Sequence, residues 1–356
     1  MWHIELSAQW RIGPDREQLQ DASTLLALLA AVQAGGSLAQ AARELGLSYR
    51  HAWGLVGQAE ASLGQALMLR GRGQGSRLTE AGQRLVWADA RVTARLQPLL
   101  ASLSSEVEGD LGRSQRKDRA VPRLHASHGF AVARLHEHLS TRQVAVELRY
   151  RNSLEAVAAL AQGDCELAGF HVPLGEFEKA AAQRFRPWLH EGSHRLVQLA
   201  VRTQGLFLAP GNPLKMAGIA DLRRRGLRFV NRPEGSGTRV LTDLLLQRHG
   251  IHAREVAGYD NTELTHAAVA AYVASGMADA GIGVQTAAER FGLGFIPLLR
   301  ERYFFAIPSD GEHRRMLQPI LTALQSASFR SQVASLPGYE AADTGRVLSI
   351  AEAFGD

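Results

Sequence analysis

Gly35-Gly36-Ser37-Leu38-Ala39-Gln40-Ala41-Ala42, followed after Gly46 by Leu47-Ser48-Tyr49-Arg50-His51-Ala52-Trp53, decides the reading of the N-terminal part of this chain. Just upstream, Leu25, Leu28, Leu29 and Val32 recur at helical spacing, so a helix buries one face and stops at the glycine pair. Ser37 then caps a second helix with the packable face Ala41, Ala42 and Leu45, Gly46 ends it, and Ser48 caps a third that runs to about Leu63. Two short helices joined through a glycine turn form a helix-turn-helix. Downstream, Leu67-Met68-Leu69 predicts a strand, Arg70 to Arg77 a glycine-rich basic loop and Leu78-Thr79 the return, which together make a β-hairpin wing. A long amphipathic helix follows, with Leu85, Val92, Leu96 and Leu99 on its apolar side. Residues 1–108 therefore read as a mainly α, winged helix-turn-helix domain.

The residue types on this frame suit double-stranded DNA. A recognition helix sets its first residues against base edges in the major groove; here those are Ser48, Tyr49, Arg50 and His51. Arg50 carries the fork that grips guanine or a phosphate, and Arg70, Arg72 and Arg77 of the wing suit phosphates or the minor groove. Arg43, Arg84, Arg91 and Arg95 add to them, against only Glu44, Glu60, Glu80 and Asp89. Trp53 reads as core. The plainer alternative for the whole segment is a helical interaction domain with a solvated arginine face.

At 356 residues the chain is long for a single core, and two or three domains are expected. The net charge of +5 and the isoelectric point of about 9.7 suit a polyanionic partner without requiring one. The single cysteine, Cys165, excludes an intramolecular disulfide and a cysteine-built zinc site, and fits a reducing compartment. Met1 to Gln18 lacks the apolar run of a secretory signal, and Leu25 to Val32 is far short of the ~20 residues that span a bilayer. A cytoplasmic protein without a membrane segment is the expectation.

Residues 109–122 are polar, carry Arg113, Arg116, Lys117 and Arg119, end at Pro122, and read as a linker. Strand and helix patterns then alternate through 123–356: strands at Arg123 to Ala126, Val144 to Tyr150, Glu166 to Phe170, Leu227 to Asn231 and Ala278 to Ile282, with helices between and a long extended stretch at Leu196 to Phe207. Such alternation predicts parallel sheets covered by helices. It divides into two α/β lobes, about 123–200 with 305–356, and about 205–300.

Three short polar loops precede helices: Ser127-His128-Gly129, Asn152-Ser153 and Ser236-Gly237-Thr238. Helix N-termini present free N–H groups and partial positive charge, so hydroxyls and amides there complete an anion cage, with Arg239 as the full charge. Singly, each Ser, Asn or Thr is an N-cap and nothing more; three at the strand ends of two lobes point to a ligand cleft. His171 and His266 join His128 as candidate donors to the anion. No carboxylate stands at ligand spacing to them, so no metal or cofactor is expected. The chain has no Gly-x-Ser-x-Gly elbow and no P-loop, and Gly71-x-Gly73-x-Gly75 lies in the wing; no catalytic residue is assigned.

The stretches at 35–42, 47–53 and 78–85 (Leu78-Thr79-Glu80-Ala81-Gly82-Gln83-Arg84-Leu85) resemble the DNA-binding domains of the ModE regulators and, more distantly, the LysR type. This resemblance covers about residues 21–100 and implies a homodimer or homotetramer joined through the helix at about 79–108 and reading a palindromic operator. His125-Ala126-Ser127-His128-Gly129, Ala168-Gly169-Phe170-His171, Gly235-Ser236-Gly237-Thr238-Arg239, Thr265-His266-Ala267-Ala268-Val269 and Gly276-Met277-Ala278-Asp279-Ala280-Gly281 resemble the periplasmic-binding-protein-like domain of one-component regulators, where ModE proteins carry small oligonucleotide-fold domains instead. Together the resemblances imply a transcription regulator sensing a small anion (molybdate, tungstate or formate) and controlling molybdenum- or tungsten-enzyme genes such as formate dehydrogenase. An anion-storage protein and a regulator of a larger organic ligand remain as alternatives.

Overall fold

The computed structural model describes residues 3–70, 75–115 and 121–355. Two compact units are present: Ser7–Leu96, and Gln97 onward together with the N-terminal residues up to Leu6.

The first unit begins with a small hairpin, β1 (Arg11–Ile12) and β2 (Gln20–Asp21), that the sequence did not announce. Helices α1 (Ser23–Gly35), α2 (Leu38–Glu44) and α3 (Tyr49–Leu63) follow, then β3 (Met68–Arg70), β4 (Ser76–Leu78) and α4 (Glu80–Gln115). Leu28, Leu29, Val32, Ala41, Ala42, Ala52 and Val56 form its core, with Leu67 and Leu78 from the hairpin. Local chemistry fixes each boundary. Gly36, at φ 65°, caps α1 in the left-handed conformation, and Ser37 Oγ and Ser48 Oγ accept from Gln40 N (3.3 Å) and His51 N (3.2 Å). Glu60 takes the amides of Leu67 (2.7 Å) and Met68 (3.1 Å) and so sets the entry into β3. At Gly82 a Cβ would lie 2.3 Å from the Leu67 carbonyl oxygen, so only glycine lets α4 press onto the hairpin there.

Helix α4 is 36 residues long and runs on to Gln115. This corrects the linker expected from residue 109: the polar stretch is helical as far as it is described. In its second half Ser105 Oγ accepts from Leu148 N (2.7 Å) and Ser102 Oγ from Tyr150 N (3.0 Å). The N-terminal segment lies along the same half, with Ile4 N on Glu108 (2.6 Å) and Leu6 N on Ser104 Oγ (3.1 Å). No described helix is long and apolar enough to cross a membrane.

The second unit continues with β5 (Arg123–Ala126), α5 (Phe130–Thr141), β6 (Glu147–Tyr150), α6 (Ser153–Ala161), β7 (Leu167–Pro173), α7 (Glu178–Gln183) and β8 (His194–Leu208). It goes on through β9 (Phe229–Val230), α8 (Gly237–Arg248), α9 (His266–Ala274), β10 (Ala280–Val284), α10 (Gln285–Arg290) and β11 (Gly294–Pro308), and closes with α11 (Gly311–Gln325), α12 (Ala327–Ala334), β12 (Tyr339–Glu340), β13 (Val347–Leu348) and α13 (Ile350–Phe354). One nine-stranded sheet runs β6-β5-β7-β11-β8-β10-β9, with β12 and β13 also on β8. The expected parallel sheets are found only in part. β5 is parallel to β6 and β7, and β9 to β10, but β8 and β11 are 15-residue antiparallel partners that pass through both lobes. Alternation of strands and helices reveals the parallel pairs; it carries no sign of two strands long enough to belong to both cores. One lobe packs around Leu124, Leu135, Leu199 and Phe305 and around Phe170 and Phe304, the other around Phe229, Leu241 and Ile282 and around Val230 and Val269. Edge strand β6 has its outward amides covered by the serines of α4.

Candidate functional site

On the first unit, capping by Ser48 starts α3 so that Tyr49, Arg50 and His51 stand exposed on its first turn, Tyr49 at 54%. The Tyr49 ring meets Trp53 edge-on at 6.3 Å, and Trp53 packs half-buried against the core, as its apolar bulk suggested. Arg77 is exposed on β4. Arg70 ends β3, but its side chain, like the whole of Arg72, lies outside the described residues.

The second candidate site lies where the lobes face each other across β8 and β11. Ser127, His128 and Gly129 leave β5, Asn152 and Ser153 leave β6, and His171 stands on β7; from the other lobe come Gly237 and Thr238, which open α8, and His266, which opens α9. A Cβ on Gly237 would fall 2.2 Å from His171 Nε2, and one on Gly235 3.4 Å from Asn152 Nδ2, so the glycines permit the two lobes to approach this closely. His171 Nδ1 faces Ser153 Oγ at 3.4 Å, and its ring lies 5.6 Å from that of Tyr303. His128 packs edge-on to Tyr150 at 4.9 Å. A narrow cleft opens between Ser153, Leu154, His171, Phe185 and Glu301 on one side and Gly237 and Leu241 on the other.

Between these loops sit residues the sequence reading passed over. Arg202 and Gln204 on β8, Arg232 after β9, and Glu301 on β11 are all buried. Arg202 Nε donates to Glu301 Oε1 at 2.5 Å, and Gln204 Nε2 donates to the same oxygen at 2.9 Å and to Thr238 Oγ1 at 3.3 Å. Among the described residues Arg232 makes no salt bridge; its Nη2 donates to the Leu264 carbonyl at 2.7 Å. Burial works against the Arg202 cation, but Glu301 at its side holds it above its ordinary value; burial, then Arg202, brings Arg232 down to about 10. Both are cationic at neutral pH. His128 and His171 are depressed to about 4, first by burial, then by Arg232 for His128 and, against the pull of Glu301, by Arg202 and Arg232 for His171. His266 is driven well below its ordinary value by burial, Arg232 and Arg202. Arg202 Nη2, Arg232 Nε, His171 Nε2, His266 Nδ1 and Gln204 Oε1 are buried without a protein partner. Each such atom costs about 1–3 kcal/mol unless a water or another group binds it, and the charges and imidazoles among them act on one another.

Arg239 needs correcting as the source of the charge. Its guanidinium stacks on Tyr259 (4.0 Å to the ring centroid), meets Asp243 at 3.3 Å and donates to the Arg232 carbonyl at 3.3 Å. Ser236 caps α8 through Arg239 N (3.2 Å), and Asn152 forms a capping box with Glu155, so both follow the plainer N-cap reading. Ser127 Oγ pairs with Tyr303 OH at 3.3 Å. The overlooked signal was a charged residue inside an otherwise apolar strand, as with Arg202 in Leu199-Ala200-Val201-Arg202-Thr203-Gln204. Among the described residues no group of His, Cys, Asp or Glu side chains is arranged to hold a metal ion.

Residues 135–325 match the model of the PBP superfamily domain. The chain belongs to the PBP superfamily. Residues 23–83 match the model of the bacterial regulatory helix-turn-helix proteins of the lysR family. A LysR-type helix-turn-helix joined to a PBP domain is a DNA-binding transcriptional regulator with a ligand-sensing domain, and the lysR-family match sets it among regulators rather than enzymes. The chain is 34% identical over 215 residues to the uncharacterized protein YvgK of Bacillus subtilis, covering 60% of this chain and 69% of that protein. It is also 30% identical over 115 residues to an uncharacterized protein of Clostridium pasteurianum from the 5′ region of a 2Fe-2S ferredoxin gene, covering 31% of this chain and 98% of that one. Among solved structures, Corynebacterium glutamicum OxyR aligns with a TM-score of 0.43 at 14% identity, covering 87% of this chain and 92% of that one.

Proposed function

We propose that the PBP domain binds a small anion between its lobes, and that this binding sets the affinity of the helix-turn-helix unit for a palindromic operator. The observation that carries the reading is the pair of buried guanidiniums, Arg202 and Arg232, with unpartnered nitrogens beside those of His171 and His266. Molybdate, tungstate and formate all satisfy such donors, and genes for molybdenum or tungsten enzymes are the corresponding targets. Residues of the site reach α4 directly: Tyr150, which packs on His128, has its amide on Ser102 of that helix. Leu99, Leu103, Val107 and Leu111 are exposed at four-residue spacing on α4, which supports pairing with a second copy through this stripe. A cytoplasmic homodimer or homotetramer follows from the reading. The apolar flank of the cleft, Leu154, Phe185, Val240 and Leu241, favours as a second reading an organic anion with an apolar tail.

The test selects a duplex from a random pool by binding to the full-length protein and then titrates it with and without each anion. Arg50→Ala with Arg72→Ala is expected to lower duplex affinity about a hundredfold, the scale of one lost base contact and one lost phosphate contact, while anion-dependent thermal shifts persist. Undiminished duplex binding in the double variant would instead support an anion-storage protein whose N-terminal unit serves only assembly.

A further inference from the structure

The proposed anion site has a charge count of its own. Arg202 and Arg232 contribute two positive charges, both buried, and Glu301 is the carboxylate that bears on both. Arg184 at the cleft and Arg290 near His128 are exposed to solvent, and among the three buried groups one positive charge is left over. The imidazoles around it add none, since burial keeps His128, His171 and His266 neutral at pH 7. A buried charge left unpaired is costly, and so is a second charge of the other sign brought in to overshoot it.

Resting on the reading above, we infer that the buried cluster beside the cleft, which Glu301 and His171 line, takes a ligand presenting a single negative charge to Arg202 and Arg232, and that Glu301 is the residue that sets this selectivity. Glu301 lies 2.5 Å from Arg202 Nε and 2.9 Å from Gln204 Nε2, which leaves Arg202 Nη2 and Arg232 Nε as the free cationic donors. A monoanion cancels the remaining charge. A dianion meets the Glu301 carboxylate as well and leaves the site negative. The shared chemistry is a singly charged oxyanion or carboxylate, and the dianionic molybdate and tungstate are disfavoured.

Charge and shape are separated by perrhenate and tungstate, tetrahedral oxyanions of like size with one and two negative charges; acetate stands for the carboxylates. Isothermal titration of the full-length protein at pH 7.5 in low-salt HEPES is expected to give perrhenate or acetate an affinity at least about tenfold above that of tungstate, a factor matching about 1.4 kcal/mol. Perrhenate alone would indicate a free inorganic ion, acetate alone a carboxylate. In Glu301→Gln, which raises the buried excess to two charges, tungstate is expected to overtake perrhenate. If that variant does not fold, the wild-type comparison still decides. Tungstate binding as tightly as perrhenate in the wild type, and lost in Arg232→Gln, overturns the charge inference and leaves the anion site standing. Binding that survives Arg232→Gln unchanged, or no binding of any of the three, overturns the anion site itself and the inference with it.

Discussion

The helix-turn-helix unit and the interlobe cleft are both polar sites on apolar cores, yet they are built by opposite means. On α3 the candidate DNA contacts are exposed neighbours in sequence, oriented by one cap, with Ser48 Oγ on His51 N at 3.2 Å. Around the cleft the functional atoms are buried and come from β7, β8, the segment after β9, α9 and β11, brought together by contacts far apart in the chain, such as that of Arg202 with Glu301. A surface site of the first kind needs only a correctly started helix. One of the second kind needs two lobes and a crossing pair of strands to close correctly before any of its residues are neighbours.

Two glycines test that difference, and they carry the largest expected effects. At Gly82 a methyl would lie 2.3 Å from the Leu67 backbone oxygen, inside one continuous core that cannot part. Gly82→Ala should cost the first unit about 3 kcal/mol, the upper range for overpacking, read as a lowered denaturant midpoint. At Gly237 the methyl would meet the His171 imidazole at 2.2 Å, between lobes that can separate. Gly237→Ala should cost less stability, about 1 kcal/mol, but lose anion affinity, because the relief is an opened cleft. Equal stability losses with anion affinity intact would mean that the lobes move no more freely than the core.

Acid should also separate the regions, with a smaller effect. Burial and the arginines hold His128 and His171 near 4 in the folded protein, against an ordinary 6.5. As pH falls below about 6.5 the unfolded chain takes up protons at these positions and the folded one does not. Stability is therefore complete above that pH and drains away down to about 4, at about 1.4 kcal/mol per pH unit for each histidine. Denaturation midpoints of the second unit at pH 7, 6 and 5 measure this, and His171→Gln should reduce the slope by one proton. A slope identical in wild type and variant would show that His171 is not held neutral.

The same contrast explains what was legible in the sequence. The caps Ser37 and Ser48, the glycine stop at Gly36 and the wing strands are local signals, and the helices of the first unit lie where those signals put them. Local signals also located the polar loops of the second unit. They did not reveal that α4 continues into the expected linker as far as Gln115, because polar and charged residues are good helix formers as well as good linker residues. Nor did they reveal Arg202, Gln204 and Glu301, which become a site only through the antiparallel pairing of β8 with β11, a register that no window of neighbouring residues encodes.

The smallest expected effect separates Arg239 from Arg232. Placed by sequence alone, the ligand's cation is the residue that follows Ser-Gly-Thr at the start of a helix, Arg239. The fold instead gives that guanidinium to Tyr259 and Asp243, while the buried Arg232 is the cation that bears on His266. Arg239→Gln removes a stacked, partly solvated ion pair of the kind worth about 0.5 kcal/mol and should leave anion affinity within about twofold, measured by titration beside Arg232→Gln. A large loss from Arg239→Gln would mean that the helix start itself is the anion site. The buried arginines would then be structural, and the contrast between a local and an assembled site would dissolve.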